Sequence, residues 1–297
     1  MLTGEYFVLD GATALAFPTK KGQSLEFKII DSKLAERSRS QVKWKSLDTY
    51  GNVWFETEIE CVTLKLSNSN KVGQKLEQIL RKARELNPEF LRKGGEVEVK
   101  SDFNLQWGFG SSSTLVSLIA QWAQVDPYKI QFESFGGSGY DIACAIAKGP
   151  IIYQKWPEPK ATSIRMDFPF KDHLYFVYLG QKQDSREGIK HYRAMENAQK
   201  EETILKLNLI TENIAKCDSL VTFCADLKRH EDLVANAIDT KTVQQRFFSD
   251  FDGQTKSLGA WGGDFILAAS AWDKAEVEEY FNSKGFDTVL AFSETVL

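Results

Sequence analysis

The chain is poor in the residues that build metal clusters, disulfide frameworks and membrane spans. Its three histidines, His173, His191 and His230, are scattered over 297 residues, and its four cysteines form no Cys-x-x-Cys pair. No zinc pattern is therefore readable from spacing. Cys61, Cys144, Cys217 and Cys224 are expected to be reduced and buried, as is usual in a cytoplasmic protein. No apolar run approaches the roughly 18 residues that a membrane helix needs, and no secretory leader is recognisable. A cytoplasmic location without a membrane partner is expected. Long basic runs are also missing: Lys20-Lys21 and Arg81-Lys82 are short, and 37 basic against 41 acidic residues leave a net charge of −4. That balance argues against a nucleic-acid partner. The common nucleotide fingerprints are absent too. No Gly-Lys-Ser/Thr follows a glycine loop, and no third glycine completes a dinucleotide motif.

What is present is a core. Hydrophobic residues make up 42% of the chain, with 20 phenylalanines, enough for one large domain or two modest ones. Strands are expected at 12–17, 24–30, 42–44, 53–62, 96–100, 150–153, 174–179 and 265–269, with a last one near Val289. Lys71 to Leu86 reads as a helix with Val72, Leu76, Ile79, Leu80 and Ala83 on one face, ended by Asn87-Pro88. Long helical stretches are expected from about 187 to 239, with Leu205, Leu209, Ile210, Leu220, Phe223 and Leu227 facing the core. A further helix is expected at about 273–282. The stretch from 156 to 169, with Pro157, Pro159 and Pro169, is the expected domain boundary.

The densest chemical signal is Gly108-Phe109-Gly110-Ser111-Ser112-Ser113. A strand runs into it, and a helix with Leu115, Leu118, Ile119 and Trp122 on one face runs out of it. Free backbone N–H groups and the positive end of a helix dipole attract phosphate there. Gly108 and Gly110 let the backbone approach it, and serine hydroxyls are suited to phosphate oxygens or a magnesium ion. A serine-capped helix behind a glycine turn would use the same residues. Two further glycine turns adjoin regular structure: Gly136-Gly137-Ser138-Gly139-Tyr140-Asp141 and Gly259-Ala260-Trp261-Gly262-Gly263-Asp264.

Taken in order, these segments resemble the motifs of the GHMP kinase superfamily. Gly4-Glu5-Tyr6-Phe7-Val8-Leu9-Asp10-Gly11-Ala12 is similar to its Gly-Glu-His/Tyr stretch. Gly108 to Ser113 is similar to its Gly-Leu-Gly-Ser-Ser phosphate loop, and Gly259 to Asp264 to its C-terminal glycine loop. Ser138-Gly139-Tyr140-Asp141 matches Ser-Gly-x-Asp. The resemblance covers nearly the whole chain. Asp141-Ile142-Ala143-Cys144 and Lys256-Ser257-Leu258-Gly259-Ala260-Trp261-Gly262-Gly263-Asp264 lean toward the mevalonate and phosphomevalonate branch.

The resemblance implies an α+β fold in two halves. Residues 1–157 would form a ribosomal-protein-S5-like ATP-binding domain, and residues 170–297 a ferredoxin-like C-terminal domain. It implies a kinase that moves the γ-phosphoryl group of ATP, with Mg2+, to a small anionic acceptor, foremost mevalonate or phosphomevalonate. A diphosphomevalonate decarboxylase-like enzyme and a non-catalytic ATP and metabolite sensor are the alternatives. A homodimer is compatible with either. Asp141 is the expected general base, against a plain helix-capping role. Gly108, Gly110, Ser111, Ser112, Ser113, Gly259, Gly262 and Gly263 are the expected nucleotide contacts. Ser112, and by looser spacing Glu133, are the expected magnesium ligands. Glu5, Ser138, Lys182 and Arg186 are the expected acceptor contacts, with a structural role for Glu5 and a solvated loop for the two cations as the plainer readings. The mevalonate-type members carry a lysine just before Gly-Glu-His/Tyr. None precedes Gly4 here, so an earlier start, a substitute such as Lys20, Lys21 or another cation, or weak activity is expected. Trp261 stands where many relatives have glycine, and its indole is expected to narrow the pocket or stack on a ligand.

Overall fold

The computed structural model describes residues 1–29, 41–180, 186–259, 261 and 263–297. The first twenty residues contribute a 3-10 turn at Phe7–Asp10 and β1 (Ala14–Ala16). Residues 21–146 contribute β2 (Gln23–Ile29), β3 (Gln41–Leu47), β4 (Val53–Glu60), α1 (Lys71–Leu86), β5 (Gly95–Ser101), α2 (Ser111–Ala123), α3 (Pro127–Ser134) and α4 (Tyr140–Ile146). From 147 onward come β6 (Ile151–Gln154), β7 (Lys160–Ser163), β8 (Leu174–Tyr178), α5 (Arg186–Ala194), α6 (Asn197–Ala215) and α7 (Leu220–Ala237). The chain closes with α8 (Val243–Phe247), β9 (Gln254–Ser257), β10 (Phe265–Ala269), α9 (Lys274–Ser283), β11 (Val289–Ala291) and α10 (Phe292–Thr295).

Two compact units result: Lys21–Ile146, and Met1–Lys20 joined with Ala147–Leu297. The division does not fall in the proline-bearing stretch at 156–169. That stretch contains β7, which pairs antiparallel with β6, and β6 in turn pairs with β1. The first residues of the chain are therefore stitched to those that follow 147.

In the unit formed by 21–146, alternation builds a four-stranded sheet of order β2-β5-β3-β4, with β3 and β5 parallel. Val42, Trp44 and Ser46 of β3 point inward, while Lys43 and Lys45 point out. Lys43 lies opposite Glu58 and Glu96, and Lys45 opposite Glu56 and Glu98. A one-residue slip would bury these lysines, so the pattern fixes the register. Helix α1 begins where Asn70 Oδ1 accepts the N–H groups of Val72 and Gly73, and it buries the stripe Leu76, Ile79, Leu80 and Ala83. Each such aliphatic side chain contributes about 1.5–3 kcal/mol when fully buried. Helix α2 differs from expectation. Its buried face is Val116, Ile119, Ala120 and Ala123, because α1, α3, α4 and β2 all pack on it; Leu115, Leu118 and Trp122 lie at the margins of that face.

The other unit holds a three-stranded sheet, β1-β6-β7, and a four-stranded antiparallel sheet, β11-β8-β10-β9. Phe265 to Ala269 is apolar throughout and buried throughout, as befits a strand between two neighbours. Helix α6 buries Leu207, Ile210, Thr211 and Ile214. Leu205 and Leu209, expected in the core, are 70% and 60% exposed, because the inward stripe is set by Leu207 and Ile210. Helix α7 packs on β9 through a stripe at helical spacing: Phe223, Asp226, Leu227, His230, Glu231 and Val234. Among the described residues no helix is long and apolar enough to cross a membrane.

Candidate active site

In the 21–146 unit, β5 leads into the loop that carries Gly108 and Gly110. Gly110 is the N-cap of α2 with φ 78, in the left-handed region that disfavours any side chain. A glycine cap has no side chain to offer, and no side chain caps this helix end. The residue at the cap position is thus Gly110 and not one of the serines Ser111, Ser112 and Ser113. Among the described residues no side-chain cap bond closes the first N–H groups of α2, the arrangement that favours an anion. Ser112 is exposed, Ser111 half-buried and Ser113 buried. Thr114 stitches the loop instead, its hydroxyl donating to Gln23 Oε1 at 2.7 Å and reaching the Gly110 carbonyl oxygen at 3.2 Å.

Helix α4 packs against α2 and carries Asp141 in its first turn. The preceding turn reverses through Gly136, Gly137 and Gly139, all with positive φ, and presents the half-buried Ser138. Burial raises the Asp141 carboxyl above its ordinary 3.8, opposed by a hydrogen bond with the Tyr140 side chain. Cys144, one turn on, is pushed up to about 11 by burial, so its thiol stays protonated at neutral pH. Glu133, expected on the metal, instead forms an ion pair with Lys82 of α1, which also binds Glu85. Among the described residues no group of three or more His, Cys, Asp or Glu is placed to hold a metal ion.

In the other unit, the first and third motifs meet. Glu5 is 1% exposed and Lys256, on β9, is fully buried. Lys256 Nζ donates to Glu5 Oε1 at 2.6 Å and to the Ser257 carbonyl oxygen at 2.8 Å, and lies 3.7 Å from Glu231 Oε1. Glu5 is thus committed to an internal ion pair, and the plainer structural reading of that residue replaces the acceptor-contact one. Glu231 accepts the Ser257 N–H at 3.1 Å. Burial outweighs the Lys256 charge and pushes the Glu231 carboxyl up to about 8, favouring its protonated form. His230 Nε2 accepts the Gly4 N–H at 2.9 Å, which places the imidazole proton on Nδ1. Burial and the Lys256 charge hold His230 well below its ordinary 6.5. Its 3.4 Å approach to Glu5 Oε2 is therefore a contact of a neutral ring and not an ion pair.

Tyr6 has φ 63 and ψ −52, and the Phe7 N–H donates to the Glu5 carbonyl oxygen at 2.8 Å across it. This is a γ-turn with positive φ, the rare and strained form. Burial and the neighbouring Glu5 push the Tyr6 phenol up to about 12. Beside it, Phe7 meets Tyr192 edge-on with ring centroids 4.9 Å apart, and Tyr192 donates to Asp10 Oδ2 at 2.5 Å.

Gly259 is exposed with φ 66 and Gly263 is buried; Gly262 lies outside the described residues. Trp261 is 6% exposed and packs with Phe7, Ala12, Tyr192, Leu207 and Val234. Its indole, expected to narrow the pocket or stack on a ligand, is buried in this cluster. Lys182 lies outside the described residues, and Arg186 opens α5. Lys20 and Lys21 both donate to backbone carbonyls, of Ser293 and Asp102. Sequence reasoning missed the roles of Lys256, His230 and Glu231. The readable signal was a His-Glu pair set between Leu227 and Val234 on a core-facing helical stripe.

Comparison of the sequence with protein-family models and with curated proteins gives no match. The structure does match solved ones. Against a mevalonate kinase the TM-score is 0.71 at 15% identity, covering 97% of this chain and 94% of that one. Against the Streptococcus pneumoniae phosphomevalonate kinase in complex with phosphomevalonate and AMPPNP it is 0.66 at 14% identity, covering 96% and 94%. Against the Lactococcus lactis galactokinase complexed with galactose it is 0.64 at 13% identity, covering 96% and 86%. The mixed sheets and helices place the chain in the α+β class. Within that class, it has the GHMP kinase fold.

Proposed function

We propose that the protein transfers the γ-phosphoryl group of ATP to a small anionic acceptor, with mevalonate and phosphomevalonate as the leading candidates. The observation that carries this reading is the uncapped N-terminus of α2 behind the left-handed Gly110, packed by the helix that bears Asp141. The N–H groups of Ser111 to Ser113 would hold phosphate oxygens, and the Ser112 hydroxyl would reach magnesium. That donor set fits the ion, because Mg2+ keeps water and phosphate oxygens and takes only one or two protein ligands. Magnesium, when bound, supplies neutralisation of the phosphate charge.

The chain's own groups supply the rest. For an alcohol acceptor, the hydroxyl proton passes to the Asp141 carboxylate as the oxygen bonds to the γ-phosphorus. The bond from that phosphorus to the bridging oxygen breaks, and ADP leaves. Burial at Asp141 favours this role, since a carboxylate with a raised pKa is a stronger proton acceptor. An ATP-consumption screen against mevalonate, phosphomevalonate, homoserine and simple sugars tests the reading. ADP and a phosphorylated acceptor without carbon dioxide are expected; carbon dioxide release, or no turnover with any acceptor, would overturn it.

A further inference from the structure

We infer that Lys256 is a positioning residue, which, through Glu5, locks the strained Tyr6 γ-turn to the strand that enters the third glycine turn. The inference deepens the kinase reading and relies on it only for its kinetic arm.

The strain at Tyr6 needs a cause outside the turn. A bulky residue at positive φ is strained and persists only where its surroundings over-determine it. Three contacts do so. Gly4, just before the turn, is fixed by its N–H on His230 Nε2 at 2.9 Å. A Cβ at Gly4 would come within 3.0 Å of Ala14 and of the Thr13 carbonyl oxygen, so the backbone cannot shift toward β1. Glu5 is held by the Lys256 ammonium at 2.6 Å. Phe7, just after the turn, sits in the cluster that also contains Trp261 and Tyr192. The first motif is thus tied to the strand before the third glycine turn by Glu5 and Lys256, and Phe7 and Trp261 share one buried cluster.

Of these contacts, the ammonium is the one that cannot be satisfied another way. Lys256 has no water to turn to, and Glu231, its other acidic neighbour, lies farther off at 3.7 Å, where burial pushes its carboxyl toward the neutral form. Glu5 is therefore the charge that Lys256 requires. Any relaxation of the Tyr6 turn that withdrew Glu5 would leave a buried cation unpaired, which is strongly unfavourable. The strain and the ion pair hold each other in place.

The test is amide hydrogen exchange on the full chain for wild type, Lys256→Met and the double variant Glu5→Gln/Lys256→Met. The Val8 and Ala12 amides, bonded to the Gly4 and Phe7 carbonyl oxygens, report the turn; the Ile266 amide in β10 reports the unit's sheet. Lys256→Met is expected to speed exchange at Val8 and Ala12 roughly tenfold or more beyond any change at Ile266. The double variant leaves no unpaired charge and is expected to recover the melting midpoint while Val8 and Ala12 stay fast. Should Lys256→Met not fold, the double variant alone carries the comparison. In turnover assays both variants are expected to lose kcat with little change in the KM for ATP. Equal exchange changes at Val8, Ala12 and Ile266, or protection that returns with stability in the double variant, would overturn the inference. Absence of turnover in the wild type would refute the kinase reading and leave the exchange result intact.

Discussion

Lys256 Nζ lies 2.6 Å from Glu5 Oε1 across 251 residues of sequence, with both side chains closed off from water. An ion pair of this kind is costly to assemble and costlier to break, because removing one partner strands the other. Lys256→Met is expected to lower the unfolding free energy by about 3–5 kcal/mol, read from urea titration. A loss no larger than the roughly 0–1 kcal/mol of a surface pair would mean that water reaches the site.

The same cluster sets a pH dependence. Glu231 keeps its proton in the folded chain up to about pH 8, whereas the unfolded chain releases it near 4.5. Its contribution to stability is therefore present at low pH and lost as pH rises through that window. His230 behaves oppositely. The unfolded chain takes up a proton below 6.5 and the folded one refuses it, so stability falls as pH drops below 6.5. Between 6.5 and about 8 only Glu231 of the two acts, and its contribution falls with a slope approaching about 1.4 kcal/mol per pH unit. Urea titrations across this window should show that decline in the wild type and not in Glu231→Gln. An equal decline in both would remove Glu231 as its cause.

At the start of α2 the backbone is the informative part. Gly110→Ala places a Cβ at φ 78 and should cost about 1–2 kcal/mol. Gly110→Asn should cost less, since asparagine tolerates the left-handed region. Thermal melting of the pair reads the difference. Equal melting of wild type and Gly110→Ala would show that the loop adopts another conformation in solution.

Ser112 and Glu133 should separate cleanly. Ser112 is exposed and caps nothing, so Ser112→Ala should leave the melting midpoint in place and reduce turnover by roughly tenfold or more. Glu133 is taken by Lys82, so Glu133→Gln should leave turnover and its magnesium dependence as in the wild type. A shifted magnesium requirement in Glu133→Gln would return that residue to the metal.

Much of this was legible in the residues. The stripe at Leu76, Ile79, Leu80 and Ala83 and the Asn87-Pro88 stop placed α1 at its observed bounds, because an amphipathic helix with a clear end carries its own signal. Strand β9 was not legible. Gln254-Thr255-Lys256-Ser257 has no apolar residue, yet all four residues are buried, since α7 supplies Glu231 to them and the first motif supplies Glu5. A charge can look solvent-exposed in sequence when its partner lies 251 residues away. Strand β7 was hidden for a related reason: Lys160 to Ser163 is exposed throughout and is held by its ladder to β6 rather than by apolar burial. On α6, Leu205 and Leu209 outweighed Leu207 in the pattern, and only packing decided the face.

The most direct test of the central claim is ATP turnover by Asp141→Asn beside the wild type, with mevalonate and phosphomevalonate as acceptors. Burial disfavours the ionised carboxylate at this position, so the amide should leave the melting midpoint unchanged or raised. Turnover with the alcohol acceptor should fall by about 10²–10⁴-fold, the usual worth of a general base. Wild-type rates from a folded Asp141→Asn would contradict the account.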